Sequence, residues 1–321
     1  MKAIVQDGYG SFHVLKFTEI EKPRLDENAV LIRNVASSIN GGNLLIMQGK
    51  PYLIRFSMGL PKPKFLIPGG DVAGIVESVG AKVMRFKIGD KVFGDLSDAG
   101  FGAFAEFVSA PEKCIAEKPE NVIFEEAAGS AQAAAVAYRG LLKGRITSGM
   151  KVLIYGASGG IGTFAVQIAK TFDTEVTAVS SSKNHEILFS LGADRCIDYQ
   201  KEDFTKSKKK YDLILATVGY RSIFDYKNAL ETNGIHVATG GDLKQMMQPI
   251  FLGALMSKKG GKTFTSLSHK QTQEDLLFIK KLFEEGKLKT IIDKEYDLKY
   301  TPDAMKYYAK GRTVGKIIIR I

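Results

Sequence analysis

The chain has 321 residues, 45% of them hydrophobic and 25% charged, with a net charge of +10 and a pI near 9.3. That length leaves room for two cores, and the balance is that of an ordinary globular protein, which excludes disordered and fibrous classes. No apolar run approaches the ~20 residues that cross a bilayer, and the opening MKAIVQDGYG lacks a signal-peptide core, so the expected location is cytoplasmic.

The two cysteines, Cys114 and Cys196, stand alone, and His13, His185, His236 and His269 are scattered, so neither a disulfide framework nor a metal cage is expected. The positive charge favours anionic ligands such as nucleotides, and leaves a weak attraction to acidic membrane surfaces. The densest basic run, KSKKKYD at 206–212, reads as a solvated loop. Aromatic residues are not interleaved with basic ones, so no nucleic-acid partner is expected.

In chain order, the first ~120 residues carry short β-branched runs broken by Gly, Pro and Asp, the pattern of an irregular β-barrel. They include KAIVQD, AVLIRNVASSI, AGIVESVG, DKVFGDL and AFAEFVSA. From Phe124 to Leu142 an alanine-rich stretch predicts a helix, with Glu125 and Glu126 in its first turn. Strand and helix signals then alternate: KVLIYG, GTFAVQIAKTF, EVTAVSS, NHEILFSLG, RCIDY, YDLILATVG, IFDYKNALETNG and IHVATGG. Such alternation implies a doubly wound parallel sheet with helices on both faces. The tail predicts an amphipathic helix in TQEDLLFIKKLFEEGKLK and a final strand in GKIIIRI, returning to the first domain. The expected boundaries are 1–124 with 262–321 for the β-rich domain, and 125–261 for the parallel-sheet domain.

Between the first strand and helix of the alternating region lies Gly156-Ala157-Ser158-Gly159-Gly160-Ile161-Gly162. Glycines there permit a tight turn and let backbone N–H groups approach a dinucleotide pyrophosphate at the helix start. At the end of the second strand an NAD site normally offers Asp or Glu to the ribose hydroxyls. Here stand Ser180, Ser181, Ser182 and Lys183, with no carboxylate before Glu186. Hydroxyls and an ammonium suit a 2′-phosphate, so NADPH is the expected cofactor. Ser182-Lys183-Asn184 equally reads as a plain helix start.

In this order and spacing, PGGDVAGIVESVG, FKIGDKVFG, GAFAEFV, EEAA, GASGGIG, LGADRCIDY, YDLILATVG and the terminal GKIIIRI resemble the medium-chain dehydrogenase/reductase superfamily over nearly the whole chain. The resemblance is to its zinc-free quinone oxidoreductase and enone reductase branch. It implies a GroES-like β-rich barrel catalytic domain, a Rossmann cofactor domain and a homodimer. Where zinc alcohol dehydrogenases carry a Cys near position 40 and Gly-His-Glu near 70, this chain has SSINGGN and GGDVAG, with Asn40 and Asp71, so no metal is expected. The resemblance further implies that Tyr199 lies beside the adenosine ribose phosphate and that Val218 and Gly219 border a ribose. It places Gly240, Gly241 and the 264–268 segment, with Leu267, toward the nicotinamide.

The implied chemistry is hydride transfer from NADPH to a quinone or to the β-carbon of an α,β-unsaturated carbonyl. Negative charge then develops on a carbonyl oxygen, where a hydrogen-bond donor helps. Asn40 is the first candidate donor and Tyr52 the second, the latter also a proton source; the final proton equally comes from water. His269 fits a surface position. The apolar stretches 52–67 and 245–256 are expected to form the substrate cleft and lid, or equally core or dimer packing. Two other readings stay open: a nucleotide-fold binding protein using its basic surface on RNA or acidic lipid, and a zinc-free alcohol dehydrogenase.

Overall fold

The β-branched runs of the N-terminal region pair antiparallel. The strands are β1 (Lys2–Gln6), β2 (Leu15–Glu19), β3 (Ala29–Ile39), β4 (Asp71–Val79), β5 (Lys91–Asp95), β6 (Phe107–Pro111) and β7 (Ile115–Glu117). Two short helices, α1 (Gly41–Gln48) and α2 (Arg55–Met58), fill the long β3–β4 connection. The computed structural model describes every residue except 220, 258–260 and 269, and the side chains of 254 and 255. The expectation for His269 thus lies outside the described residues.

The helix α3 (Phe124–Lys143) leads to the alternating region: β8 (Lys151–Tyr155), α4 (Gly160–Lys170), β9 (Glu175–Ser180), α5 (His185–Ser190), β10 (Arg195–Asp198), β11 (Tyr211–Ala216), α6 (Ile223–Ala229), β12 (Leu230–Ala238), α7 (Leu243–Ser257) and β13 (Thr263–Ser266). The tail adds α8 (Gln273–Glu284), β14 (Ile292–Asp297), α9 (Thr301–Tyr308) and β15 (Lys316–Arg320).

The chain divides into two units, Met1–Ala133 with Lys270–Ile321, and Ala134–His269. The expected boundaries at 124/125 and 261/262 are both displaced. The first division falls within α3, and β13 pairs parallel with β12 and so belongs to the second unit.

In the first unit, the described strands form a sheet ordered β14-β15-β3-β4-β5-β7, with β6 also on β3. Its long central strand β3 is antiparallel to both β4 and β15. The register sets Ile39 against Ile317, and Ala36 against Ala73. The end of β3 therefore meets the starts of β4 and β15. Ile4, Ile39, Met47, Phe104, Ile317 and Ile319 pack one core cluster, and Val30, Ile32, Val72 and Val92 belong to another. Each such buried side chain contributes about 1.5–3 kcal/mol.

In the second unit, the described strands form a parallel sheet ordered β10-β9-β8-β11-β12-β13. Leu153, Val179, Ile214, Tyr226 and Phe264 belong to its core cluster. The helix expected over IFDYKNALETNG stops at Ala229, and Leu230 already starts β12. Thr232 and Asn233 are poor helix formers, and Asn233 takes a left-handed φ of 65°. The apolar 245–256 stretch is helical, lying within α7, and Gly253 lets that helix approach β13: a Cβ there would sit 2.6 Å from the Phe264 carbonyl oxygen.

Candidate active and cofactor sites

Where the end of β3 meets β4 and β15, four polar side chains meet inside the first unit. Asp71 opens β4 and Lys316 opens β15, at 0% and 3% exposure. The Lys316 ammonium donates to the Ile39 carbonyl at 3.1 Å and to Asn40 Oδ1 at 2.5 Å, and lies 3.6 Å from Asp71 Oδ2. Asn40 Nδ2 donates to the same Asp71 oxygen at 2.7 Å, beside a short bond from the Ser38 hydroxyl. The Gln132 backbone N–H reaches Asp71 Oδ1 at 3.1 Å. Asn43 fastens the loop by accepting from the Asn40 backbone N–H at 2.8 Å.

Antiparallel pairing makes Asp95 the cross-strand partner of Asp71. Two carboxyls opposite one another repel. Burial, and then the Asp71 charge, push Asp95 up to about 6. Ser97 Oγ donates to Asp95 at 2.5 Å, and Gln132 Nε2 donates to it at 3.1 Å. Burial pulls the Lys316 ammonium below its ordinary range, and the facing Asp71 opposes that shift.

This network holds the Asn40 amide in one orientation. Its oxygen faces an ammonium and one of its N–H bonds faces a carboxylate. An amide nitrogen carries two hydrogens, so a second N–H remains to donate, and the residue is half-buried. The donor set does not fit zinc. Ser38, Asn40 and Asp71 replace its usual thiolate and imidazole ligands, and the Lys316 cation already faces Asp71. Tyr52 stands apart on an exposed turn, its ring 4.8 Å from the Arg55 guanidinium.

In the second unit the cofactor candidates share one edge. Gly156 follows β8, Ser180 ends β9, and Tyr199 follows β10. Val218 and Gly219 follow β11, Gly240 and Gly241 follow β12, and Leu267 follows β13. In a parallel sheet these are all carboxyl ends, where open α/β folds bind ligands.

Two loop glycines are explained by the protein's own packing. A Cβ on Gly156, whose φ is 85°, would lie 2.8 Å from Thr217 Oγ1; on Gly162 it would lie 2.6 Å from Ala157 Cα. Gly159 is different. It has an ordinary φ of −79°, and a Cβ there would meet only the Gly156 oxygen, at 3.5 Å. Neither strain nor crowding demands glycine at this N-cap, and the space beside it is open to an incoming group. The N–H groups of Gly160, Ile161 and Gly162 have no acceptor within their own helix. A pyrophosphate fits this cradle.

At the end expected to take the adenosine half, the Tyr199 backbone N–H donates to the Ser180 carbonyl at 3.3 Å, which brings the two candidates together. Ser181 caps a short 3₁₀ turn that carries the exposed Lys183. The same pairing sets Asp198 level with Ser180. The Gln200 N–H, donating at 3.0 Å, helps hold the Asp198 carboxyl below its usual range. A carboxylate therefore neighbours the predicted phosphate pocket from the third strand rather than the second.

Gln245, almost fully buried, organises the opposite end: its Nε2 donates to the Val218 carbonyl at 3.1 Å and the Gly240 carbonyl at 2.9 Å. The Tyr226 hydroxyl donates to its Oε1 at 2.9 Å. Sequence reasoning missed Lys316, Asp95, Gln132, Asp198 and Gln245. The only local signals were a lysine opening an apolar strand and a glutamine in an apolar helix.

Residues 26–120 match the family model of the alcohol dehydrogenase GroES-like domain, and 191–319 match that of zinc-binding dehydrogenase. A chloroplastic quinone oxidoreductase of Triphysaria versicolor is 33% identical, covering 99% of this chain and 98% of that protein. A chloroplastic NADPH-dependent alkenal/one oxidoreductase of Arabidopsis thaliana is 30% identical over 99% of this chain and 79% of its own length. The solved quinone oxidoreductase of Coxiella burnetii superimposes with a TM-score of 0.91 at 28% identity, covering 100% of this chain and 99% of that one.

Proposed function

The chain belongs to the medium-chain dehydrogenase/reductase family, in its quinone oxidoreductase and alkenal/one reductase branch, and from that premise we propose that it is an NADPH-dependent reductase of quinones or of α,β-unsaturated carbonyls that works without zinc. The observation that carries this reading is the cradle around Gly159, a glycine that its own surroundings do not require, facing a helix start. When bound there, NADPH supplies the hydride.

The chain's residues supply position and charge. The first-turn amides of α4 would hold the pyrophosphate and Ser181 and Lys183 would take the 2′-phosphate, while Gln245 fixes the Val218 and Gly240 loops that would border the nicotinamide half. Preference for NADPH over NADH rests on Lys183 outweighing Asp198. In the first unit the Asn40 N–H donates to the substrate oxygen on which negative charge accumulates. An oxyanion donor of this kind is worth about 10²–10³ in rate when pre-oriented. Lys316 and Asp71 provide the orientation. Water protonates the resulting enolate or quinol oxyanion, so no protein acid is required. The outer strand position of β13 in the described sheet leaves an edge for a second copy, in keeping with a homodimer.

The test follows NADPH absorbance at 340 nm with a panel of quinones and 2-alkenals. Acceptor-dependent oxidation is expected. Its absence across the panel, or NADP⁺ reduction by simple alcohols instead, overturns the reading.

A further inference from the structure

From Asn28 to Gly70 the sequence contains no Asp or Glu, yet it carries Arg33, Lys50, Arg55, Lys62 and Lys64. The second half of this stretch also exposes large apolar side chains, as Met84 and Ile88 do elsewhere in the first unit. Leu53 and Phe56 are 74% and 77% exposed, and Leu60 and Leu66 more than half. Leu53 and Phe56 stand three residues apart on consecutive helical turns and so share a face.

The segment is a built platform. Arg55 Nε donates to the Gly49 carbonyl at 3.0 Å while its guanidinium lies 4.5 Å from the Tyr9 ring. The Tyr9 hydroxyl donates to the Gly59 carbonyl at 2.8 Å, the Lys64 N–H to Met58 at 2.6 Å, and the Gln6 N–H to Leu66 at 2.7 Å. These bonds hold the apolar side chains outward. Lys50, Lys62 and Lys64 are exposed around them, and Asp7, an acid close enough to act on Lys62, is paired with Lys16 at 2.8 Å.

We propose that the turn region from Lys50 to Leu66 is a docking surface for an anionic lipid bilayer, with Leu53, Phe56, Leu60 and Leu66 entering the acyl boundary and Lys50, Lys62 and Lys64 meeting the headgroup phosphates. Apolar tips ringed by unopposed cations are what an interfacial anchor needs, since burial and charge attraction add. The surface exposes three leucines, which insert into hydrocarbon but cannot stack on bases, beside the rings of Tyr52 and Phe56, which suit a membrane interface as well as a base; the leucines favour lipid over RNA. A second copy docked face to face would bring like charges together. The proposal takes most of the 52–67 stretch, expected above as substrate cleft or packing, as a bilayer-facing surface, and vesicle binding tests it without reference to turnover.

The test is co-sedimentation of the full chain with phosphatidylcholine vesicles, with and without about one third phosphatidylglycerol. Binding is expected to the anionic vesicles, to weaken as salt is raised, and to fall by about tenfold or more both in Leu53→Ser/Phe56→Ser and in Lys62→Glu/Lys64→Glu. Unchanged thermal melting shows that these exposed positions leave the fold intact. Absence of binding at low salt overturns the proposal, as does binding that both variants retain. RNA gel shifts in place of vesicle binding assign the surface to nucleic acid and overturn it too. So does a Leu53→Ser/Phe56→Ser change that splits a dimer in sedimentation velocity while vesicle binding persists.

Discussion

Replacing Lys316 by methionine tests the buried network directly. Methionine matches the apolar stem of lysine out to Cε but deletes the ammonium that contacts Ile39, Asn40 and Asp71. Breaking a buried pair by removing one partner costs about 3–5 kcal/mol. Here Asp71 retains donors from Ser38, Asn40 and Gln132, so the cost falls at the lower end. At about 2–4 °C per kcal/mol for a unit of this size, the melting midpoint drops by roughly 6–12 °C. Adding Asp71→Asn removes the stranded charge, and the double variant melts well above the sum of the single losses, with a coupling of about 2 kcal/mol. In turnover assays Lys316→Met lowers kcat by about 10–100-fold, less than deletion of the donor in Asn40→Ala, because the amide survives without its orientation. Calorimetric melting and steady-state kinetics on the four-member cycle measure both quantities. A midpoint within about 2 °C of the parent, with kcat within about twofold, would refute the reasoning.

The cofactor site and the acid pair give further outcomes. Lys183→Glu weakens NADPH binding by about tenfold or more with little effect on NADH, and Asp198→Asn shifts preference toward NADPH; titration calorimetry reads both. Gly159→Ala leaves melting unchanged but loosens either coenzyme by about tenfold, whereas Gly162→Ala destabilises the fold, since its Cβ would strike Ala157. Asp95 holds its proton to about pH 6 when folded, against 3.8 ordinarily, so the folded chain binds more protons between those values and loses stability as pH rises through them. The stability of the parent relative to Asp95→Asn should fall by about 2 kcal/mol from about pH 4.5 to 7, measured by denaturant titration; a flat difference contradicts it.

What the sequence showed was whatever is carried by neighbours in the chain. The glycine loop, its strand and its helix are contiguous, and alternating β and α signals imposed the parallel sheet whose carboxyl edge gathers Gly156, Ser180, Tyr199, Val218, Gly240 and Leu267. What stayed hidden depends on distant pairing. Asn40 and Lys316 meet across 276 positions because β15 returns to β3, and nothing near either residue announces the other. Asp198 was in plain view within CIDY, but only the parallel register of β9 and β10 sets it beside Ser180. Domain limits erred for a similar reason. α3 runs through the division without a break in its alanine pattern, and β13 declares its allegiance only through its bonds to β12.

The most direct measurement follows deuterium from NADPH labelled at the transferring position of C4 into a 2-alkenal product. The account predicts one deuterium on the former β-carbon with the carbonyl intact, and one hydrogen added from water at the α-carbon. Deuterium on the carbonyl carbon, giving a labelled alcohol, or none in the product, would contradict it.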